Sequence, residues 1–224
     1  MPAAVALLMV VTASQAWADL RAGAEAYQRG DYTTALTEFR SLAQQGNAGA
    51  QNNLGIMYSK GRGVPQDDDE AVRWFRRAAE QGIAEAQFNL GIMYSKGRGV
   101  PQDDDEAVRW FRRAAVLGDA EARFNLGVMY SEGRGVSQDD AEAVRWYRRA
   151  AEQGNARAQF GLGFMYLEGR GVPQDYVQAH MWVNLAAAQG KDSYRKSRDK
   201  LAEQMIPAQI TEAQRLAREW KPKQ

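Results

Sequence analysis

The sequence predicts an all-α fold, a right-handed α-solenoid of stacked antiparallel helix pairs, and three observations carry that prediction. The dipeptide Leu-Gly returns at Leu54-Gly55, Leu90-Gly91, Leu126-Gly127 and Leu162-Gly163, a step of 36 residues each time. Tryptophan keeps the same step at Trp74, Trp110, Trp146 and Trp182. Between these markers small and apolar residues recur every three or four positions, the period of a helix face. The segment SKGRGVPQDDDEAVRWF even stands twice without a change, at Ser59 to Phe75 and at Ser95 to Phe111. Four full units result, 47–82, 83–118, 119–154 and 155–190, with a partial unit 19–46 before them and a capping segment 191–224 after them.

Residues 1–18 carry no charge, and their apolar centre is too short to span a bilayer. The ending Ala16-Trp17-Ala18 fits the small-x-small pattern of signal-peptide cleavage. They are expected to be a signal peptide with Asp19 as the first mature residue, although the basic start of such a peptide is missing. The expected location is therefore periplasmic or secreted, with no integral membrane segment after cleavage. Residues 19–46 keep the later half of the unit in register, with Ala35, Phe39, Ala43 and Gly46 each 36 positions before Ala71, Phe75, Ala79 and Gly82.

Within the first full unit, Ala48, Ala50, Leu54, Met57 and Tyr58 share one helix face. Asn47 is the expected N-cap and Gly61 the stop. Pro65 sets the approach to a second helix, whose expected buried face is Ala71, Trp74, Phe75, Ala78 and Ala79. Asp67 with Glu70 reads as a capping box, and the spacing recurs at Asp103 with Glu106, Asp139 with Glu142 and Asp175 with Gln178. After Gly190 the repeat spacing is lost, but Leu201, Met205, Ile206, Ile210, Ala213, Leu216, Ala217 and Trp220 allow two helices broken near Pro207. Such terminal pairs cover the open ends of an array.

The chain has 224 residues with 29 Lys and Arg against 28 Asp and Glu, so its charge gives no case for nucleic acid. It has no cysteine, which removes thiol chemistry, disulfides and Cys-based zinc sites. With a single histidine, His180, neither a Ser-His-Asp triad nor a two-histidine metal motif is available. His180 aligns with Val72, Val108 and Val144 and so reads as a packing position. The consecutive Asp67, Asp68 and Asp69 lack the alternate spacing of a calcium loop, because successive helical side chains diverge by about 100°. Gly61-Arg62-Gly63 has neither the strand nor the Lys-Ser pair of a phosphate loop. Its arginine, with Arg98, Arg134 and Arg170, is expected to be solvated or to meet an acidic partner. Arg73, Arg76 and Arg77 form a stripe expected to lie opposite the Trp74 face and to pair with Glu70 and Glu80. No catalytic residue, metal ligand or cofactor is expected.

The unit A-x-A-x-x-x-L-G-x-M-Y-x-x-G-x-G-V-P-Q-D-x-x-x-A-x-x-W-x-x-x-A-A-x-Q-G closely resembles the Sel-one-like repeat (SLR), a relative of the tetratricopeptide repeat. The resemblance covers about residues 20–190, with Ser137 in place of the loop proline and Ile83 in place of a polar cap. It implies a non-catalytic scaffold or adaptor of the bacterial cell envelope that binds a protein or peptide. The related arrays line a concave groove with their first helices. The matching positions here are Asn52, Ile56 and Lys60; Phe88, Ile92 and Lys96; Phe124 and Val128; Phe160 and Phe164. Packing is the competing reading of Phe88, Phe124 and Phe160. The alternatives to an adaptor are a cell-wall or β-lactam hydrolase and a purely structural envelope component. The partner's identity is open, and a monomer is expected.

Overall fold

The computed structural model describes residues 19–223, and the expected signal peptide, 1–18, lies outside them. The described residues form twelve helices and no strand. Helix α1 covers 19–28. It is followed by α2 (Tyr32–Gln44), α3 (Ala48–Lys60), α4 (Asp68–Glu80), α5 (Ala84–Lys96), α6 (Asp104–Val116) and α7 (Ala120–Glu132). Then come α8 (Asp140–Glu152), α9 (Ala156–Glu168), α10 (Tyr176–Ala188), α11 (Asp192–Ala202) and α12 (Pro207–Glu219). The chain divides into two compact units, one ending at Asp103 and one beginning at Asp104. In the first, α2 packs on α3, α3 on α4 and α4 on α5; in the second the chain of contacts runs from α6 to α10, which meets both α11 and α12.

Each first helix is stopped by a glycine in left-handed conformation. At Gly61 (φ +64) the Arg62 N–H donates to Met57 O and the Gly61 N–H to Tyr58 O, which satisfies carbonyls the helix end leaves open. The side chains of Asp67, Asp139 and Asp175 accept from the N–H three residues on, as expected of N-caps. The reciprocal half of the expected capping box is replaced. The Asp67 N–H donates to Tyr58 O at 3.0 Å, and Glu70 turns to Arg73. The same backbone bond recurs from Asp103 to Tyr94, Asp139 to Tyr130 and Asp175 to Tyr166, so the cap residue also ties the second helix to the end of the first. Ile83 has no side-chain cap, as its apolar side chain requires.

The Leu-Gly pair marks where two helices touch. Leu54, Leu90, Leu126 and Leu162 are buried, each worth roughly 1.5–3 kcal/mol of apolar transfer. A Cβ on Gly55 would lie 2.5 Å from the Phe75 ring, and one on Gly127 would lie 2.5 Å from the Tyr147 ring, so the second-helix aromatic rests on bare backbone. The tryptophans differ from expectation. Trp110 and Trp182 are buried, but Trp74 and Trp146 are only half-buried, and the interior face of α4 is Ala71, Val72, Phe75, Ala78 and Ala79. Arg77, Arg113 and Arg149 lie over the rings of Trp74, Trp110 and Trp146 at 4.6–4.8 Å, so part of the arginine stripe covers the tryptophan face instead of opposing it.

The second loop glycine makes the closest inter-repeat approach. A Cβ on Gly99 would stand 2.2 Å from the carbonyl oxygen of Asp68, and Gly135 and Gly171 repeat the contact on Asp104 and Asp140. The loop of one repeat is thus seated on the first turn of the preceding repeat's second helix. Gly135→Ala should therefore cost about 3 kcal/mol or more, because positive φ and a backbone clash act together. Gly154→Ala, at φ +89 with open space around it, should cost about 1 kcal/mol. Urea unfolding of the two variants checks this, and equal losses would show that conformation alone, not the contact, sets the cost.

Candidate functional site

The conspicuous motif residues turn toward one another. Arg98 Nε and Nη2 donate to Asp68 Oδ2 and Oδ1 at 3.0 and 2.6 Å, and Nη2 also reaches Ser59 O at 3.3 Å. Arg134 grips Asp104 at 3.1 and 2.8 Å, and Arg170 grips Asp140 at 3.1 and 2.7 Å. Each is a two-pronged guanidinium–carboxylate pair across 30 residues of sequence. The hydrogen bond to the aspartate holds each guanidinium proton above the ordinary arginine range. These arginines are thus neither solvated turn residues nor a free basic row, and Arg62 instead donates to Tyr27 Oη and lies over the Tyr27 and Tyr32 rings.

The remaining arginines of the stripe are also engaged. Arg73, Arg109 and Arg145 bridge to Glu70, Glu106 and Glu142. Arg76, Arg112 and Arg148 donate to the hydroxyls of Tyr94, Tyr130 and Tyr166 at 2.7–2.8 Å, each holding the next repeat's first helix. Buried amides supply another bond that sequence reading passed over: Gln51, Gln87 and Gln159 donate to Ala43 O, Ala79 O and Ala151 O. In the third repeat Arg123 Nε takes that place on Ala115 O. Among the described residues no group of three or more His, Cys, Asp and Glu is placed to hold a metal ion. Burial pushes the Tyr147 hydroxyl up to about 12, so it keeps its proton at neutral pH.

The first-helix residues separate into three kinds. Asn52 is buried at 4% exposure and its Nδ2 donates to Glu85 at 3.0 Å, which makes it a brace between α3 and α5. Phe124 and Phe160 are half-buried: Phe124 lies between the Tyr147 ring and the Arg157 guanidinium, and Phe160 stacks on Tyr194 at 4.5 Å. Phe88 and Val128 are half-buried too, while Lys60 and Lys96 are exposed. Phe164 is the open aromatic, 44% exposed.

Two clefts collect these positions. In the first unit, Ile56, Lys60 and Ile92 line a cleft of about 240 Å³ together with Ser59, Glu85 and Asn89. In the second, Phe160, Phe164 and Leu167 of α9 meet Val183 of α10 and Leu201 of α11 around about 300 Å³, with Ser197, Lys200 and Gln204 at its polar edge. Sequence periodicity placed the α9 residues but not the α11 side, since α11 lies outside the repeat register.

The Sel1 repeat family model matches residues 48–83, 84–119, 120–155 and 156–191. Among solved structures, the chain is similar to a protective antigen of uropathogenic Escherichia coli displaying an SLR fold. The two are 35% identical with a TM-score of 0.80, and the match covers 93% of this chain and 46% of that one. It is also 35% identical to a Sel1 repeat protein from Oxalobacter formigenes, with a TM-score of 0.76, covering 89% of this chain and 84% of that one. An immunity protein from Pseudomonas aeruginosa shares the fold at 21% identity and a TM-score of 0.56, covering 91% and 81% of the two chains. The curated relative DAP3-binding cell death enhancer 1 of Rattus norvegicus is 42% identical over 50 residues, 22% of this chain and 10% of its own length. This chain thus spans less than half of the antigen and about a tenth of the curated relative.

The pairing of Asp68 with Arg98 is measurable. A double-mutant cycle of Asp68→Ala and Arg98→Ala should return a coupling of about 1 kcal/mol, between the values of exposed ion pairs and of charged hydrogen bonds. Thermal unfolding at two salt concentrations reads it, and a coupling near zero would reduce the pair to a surface contact.

Proposed function

The chain belongs to the Sel1 repeat family, and we propose that it is a non-catalytic scaffold or adaptor that binds a protein or peptide partner along the first-helix faces of its repeats. The single observation that carries the reading is Phe164, an aromatic ring left open at the mouth of an apolar cleft. Large exposed apolar side chains mark contact surfaces when they adjoin a concavity with a few polar groups at its edge. The cleft beside Ile56 and Ile92 offers a second, more polar contact in the first unit. The repeat carboxylates support the same reading: Asp67, Asp139 and Asp175 cap helices and Asp68, Asp104 and Asp140 bind arginines, which removes them from the pool a hydrolase would draw on. No described helix is long and apolar enough to cross a membrane. The proposed setting is the bacterial envelope, periplasmic or secreted, as the short apolar segment 1–18 implies, with the chain acting as a monomer.

The partner-binding residues under this proposal are Ile56, Lys60, Ile92 and Phe164, with Phe160 as a wall. Phe88, Phe124 and Val128 support the first helices, Lys96 lies at the outer end of α5, and Asn52 braces from below. A photo-reactive phenylalanine analogue at position 164 should crosslink one partner from periplasmic extract, whereas the same analogue at exposed Arg109 should not. Phe164→Ala should abolish capture while the melting temperature moves little, since an exposed ring contributes less than about 1 kcal/mol to folding. Equal capture by Phe164→Ala and the parent chain would sink the assignment.

A further inference from the structure

The opposite side of α11 builds a polar cleft. His180 and Asn184 of α10, Arg198 and Asp199 of α11, and Gln214 and Arg218 of α12 line a cavity of about 420 Å³. An imidazole stands at its base where Val72, Val108 and Val144 occupy the matching places in the earlier repeats. His180 is 2% exposed, and its Nδ1 is enclosed with no hydrogen-bond partner among the described residues. A buried polar atom without a partner costs stability, and valine would fill the same place without that cost. Burial first, and then the nearby Arg198, hold the imidazole's protonation below the usual histidine range, with Asp199 opposing them.

The groups around the imidazole include two guanidinium donors, beside the apolar Ala202 and Ile210. Arg198 directs Nε and Nη2 at a single oxygen of its neighbour Asp199, at 2.9 and 2.7 Å, while Nη1 makes only a 3.5 Å contact with Asn184. Asp199 is itself 65% exposed, so this pairing is loosely held. Arg218 adds a second guanidinium from the last turn of α12, and Asn184 and Gln214 add carboxamides. Two guanidinium groups against one exposed carboxylate leave a net positive cleft, in which the planar fork of Arg218 and the Nη1 of Arg198 can donate to the oxygens of an anion.

We propose that this cleft binds a small oxyanion, a carboxylate or a phosphate group, held by Arg198 and Arg218 with the amides of Asn184 and Gln214 as further donors. His180 lies beneath as a coupled group. An anion above a neutral imidazole favours its protonated form, so occupancy raises the pH at which His180 takes up a proton, and protonation in turn tightens the anion.

Because His180 is the only histidine, its ¹⁵N-labelled ring is a single reporter in the full chain. Inorganic phosphate and succinate are titrated separately, with chloride holding ionic strength constant. Saturable shifts of the imidazole signals, with an upward move of its protonation midpoint, are expected from one or both anions. Saturation by phosphate alone assigns the site to phosphate groups, and saturation by succinate alone assigns it to carboxylates. Arg218→Gln, a change at an exposed residue, should weaken the apparent affinity by about tenfold or more with unchanged helical circular dichroism. A response that stays linear for both anions, or a saturable one that Arg218→Gln leaves untouched, would overturn the proposal.

Discussion

The repeats depend on the contact between a loop glycine and the carbonyl that ends at an aspartate one repeat earlier. At Gly99, Gly135 and Gly171 the space where a side chain would begin is occupied by Asp68 O, Asp104 O and Asp140 O. Backbone therefore meets backbone, and the intervening arginine closes over the same aspartate with a two-pronged bond. Both halves of the contact need the loop at one height and one angle. Gly61, Pro65 and Asp67 provide those settings: the first stops the helix, the second restricts φ, and the third ties its N–H back to Tyr58. The third repeat has Ser137 in place of the proline and still keeps Gly135 and Arg134 on Asp104, so the glycine stop and the tie of the cap N–H back to the tyrosine hold the loop without it.

This explains why the motif that draws the eye is structural. The helix hairpin and its period were legible because Leu-Gly, tryptophan and the glycine stops return at a fixed step of 36 residues. The destination of the charges was not legible. Arg98 and Asp68 stand 30 residues apart in different repeats, and only the packing of one loop on the previous helix start brings them together. The same limit hid the tyrosine–arginine bonds and the amide of Gln51. Each is a polar group on an otherwise apolar face, and each is satisfied by a group from the preceding element. Trp74 misled for another reason. Trp74 and Trp110 stand in identical local sequence with an arginine over each ring, yet Trp74 is half-buried and Trp110 buried, so the depth of the ring is set by packing from outside its own helix.

The candidate site was half visible. Phe160 and Phe164 follow from register, whereas the opposing wall comes from α11, which keeps no 36-residue step. Periodicity still governs that helix by itself. Ser197, Lys200 and Leu201 fall at i, i+3 and i+4 and share one face, the face turned to the phenylalanines, and Gln204 follows in the turn after the helix. Arg198, Asp199 and Ala202 fall on another face, the one turned to His180 and α12.

One short helix thus separates an apolar cleft from a polar one, and it does so at the end of the array where the repeat sequence ceases to constrain its neighbours. In the interior repeats most charged side chains of the motif are engaged, some within their own helix, as Arg73 is by Glu70, and others across to the adjacent repeat, as Arg98 is by Asp68. Little of that surface is free to vary without loosening the stack. At α11 the obligation lapses: Tyr194 and Leu201 anchor the helix, and the remaining positions answer only to what lies on either side. A repeat protein that acquires specificity is therefore freest to do so where the repeat register ends, and the apolar and polar clefts on either side of α11 are built there.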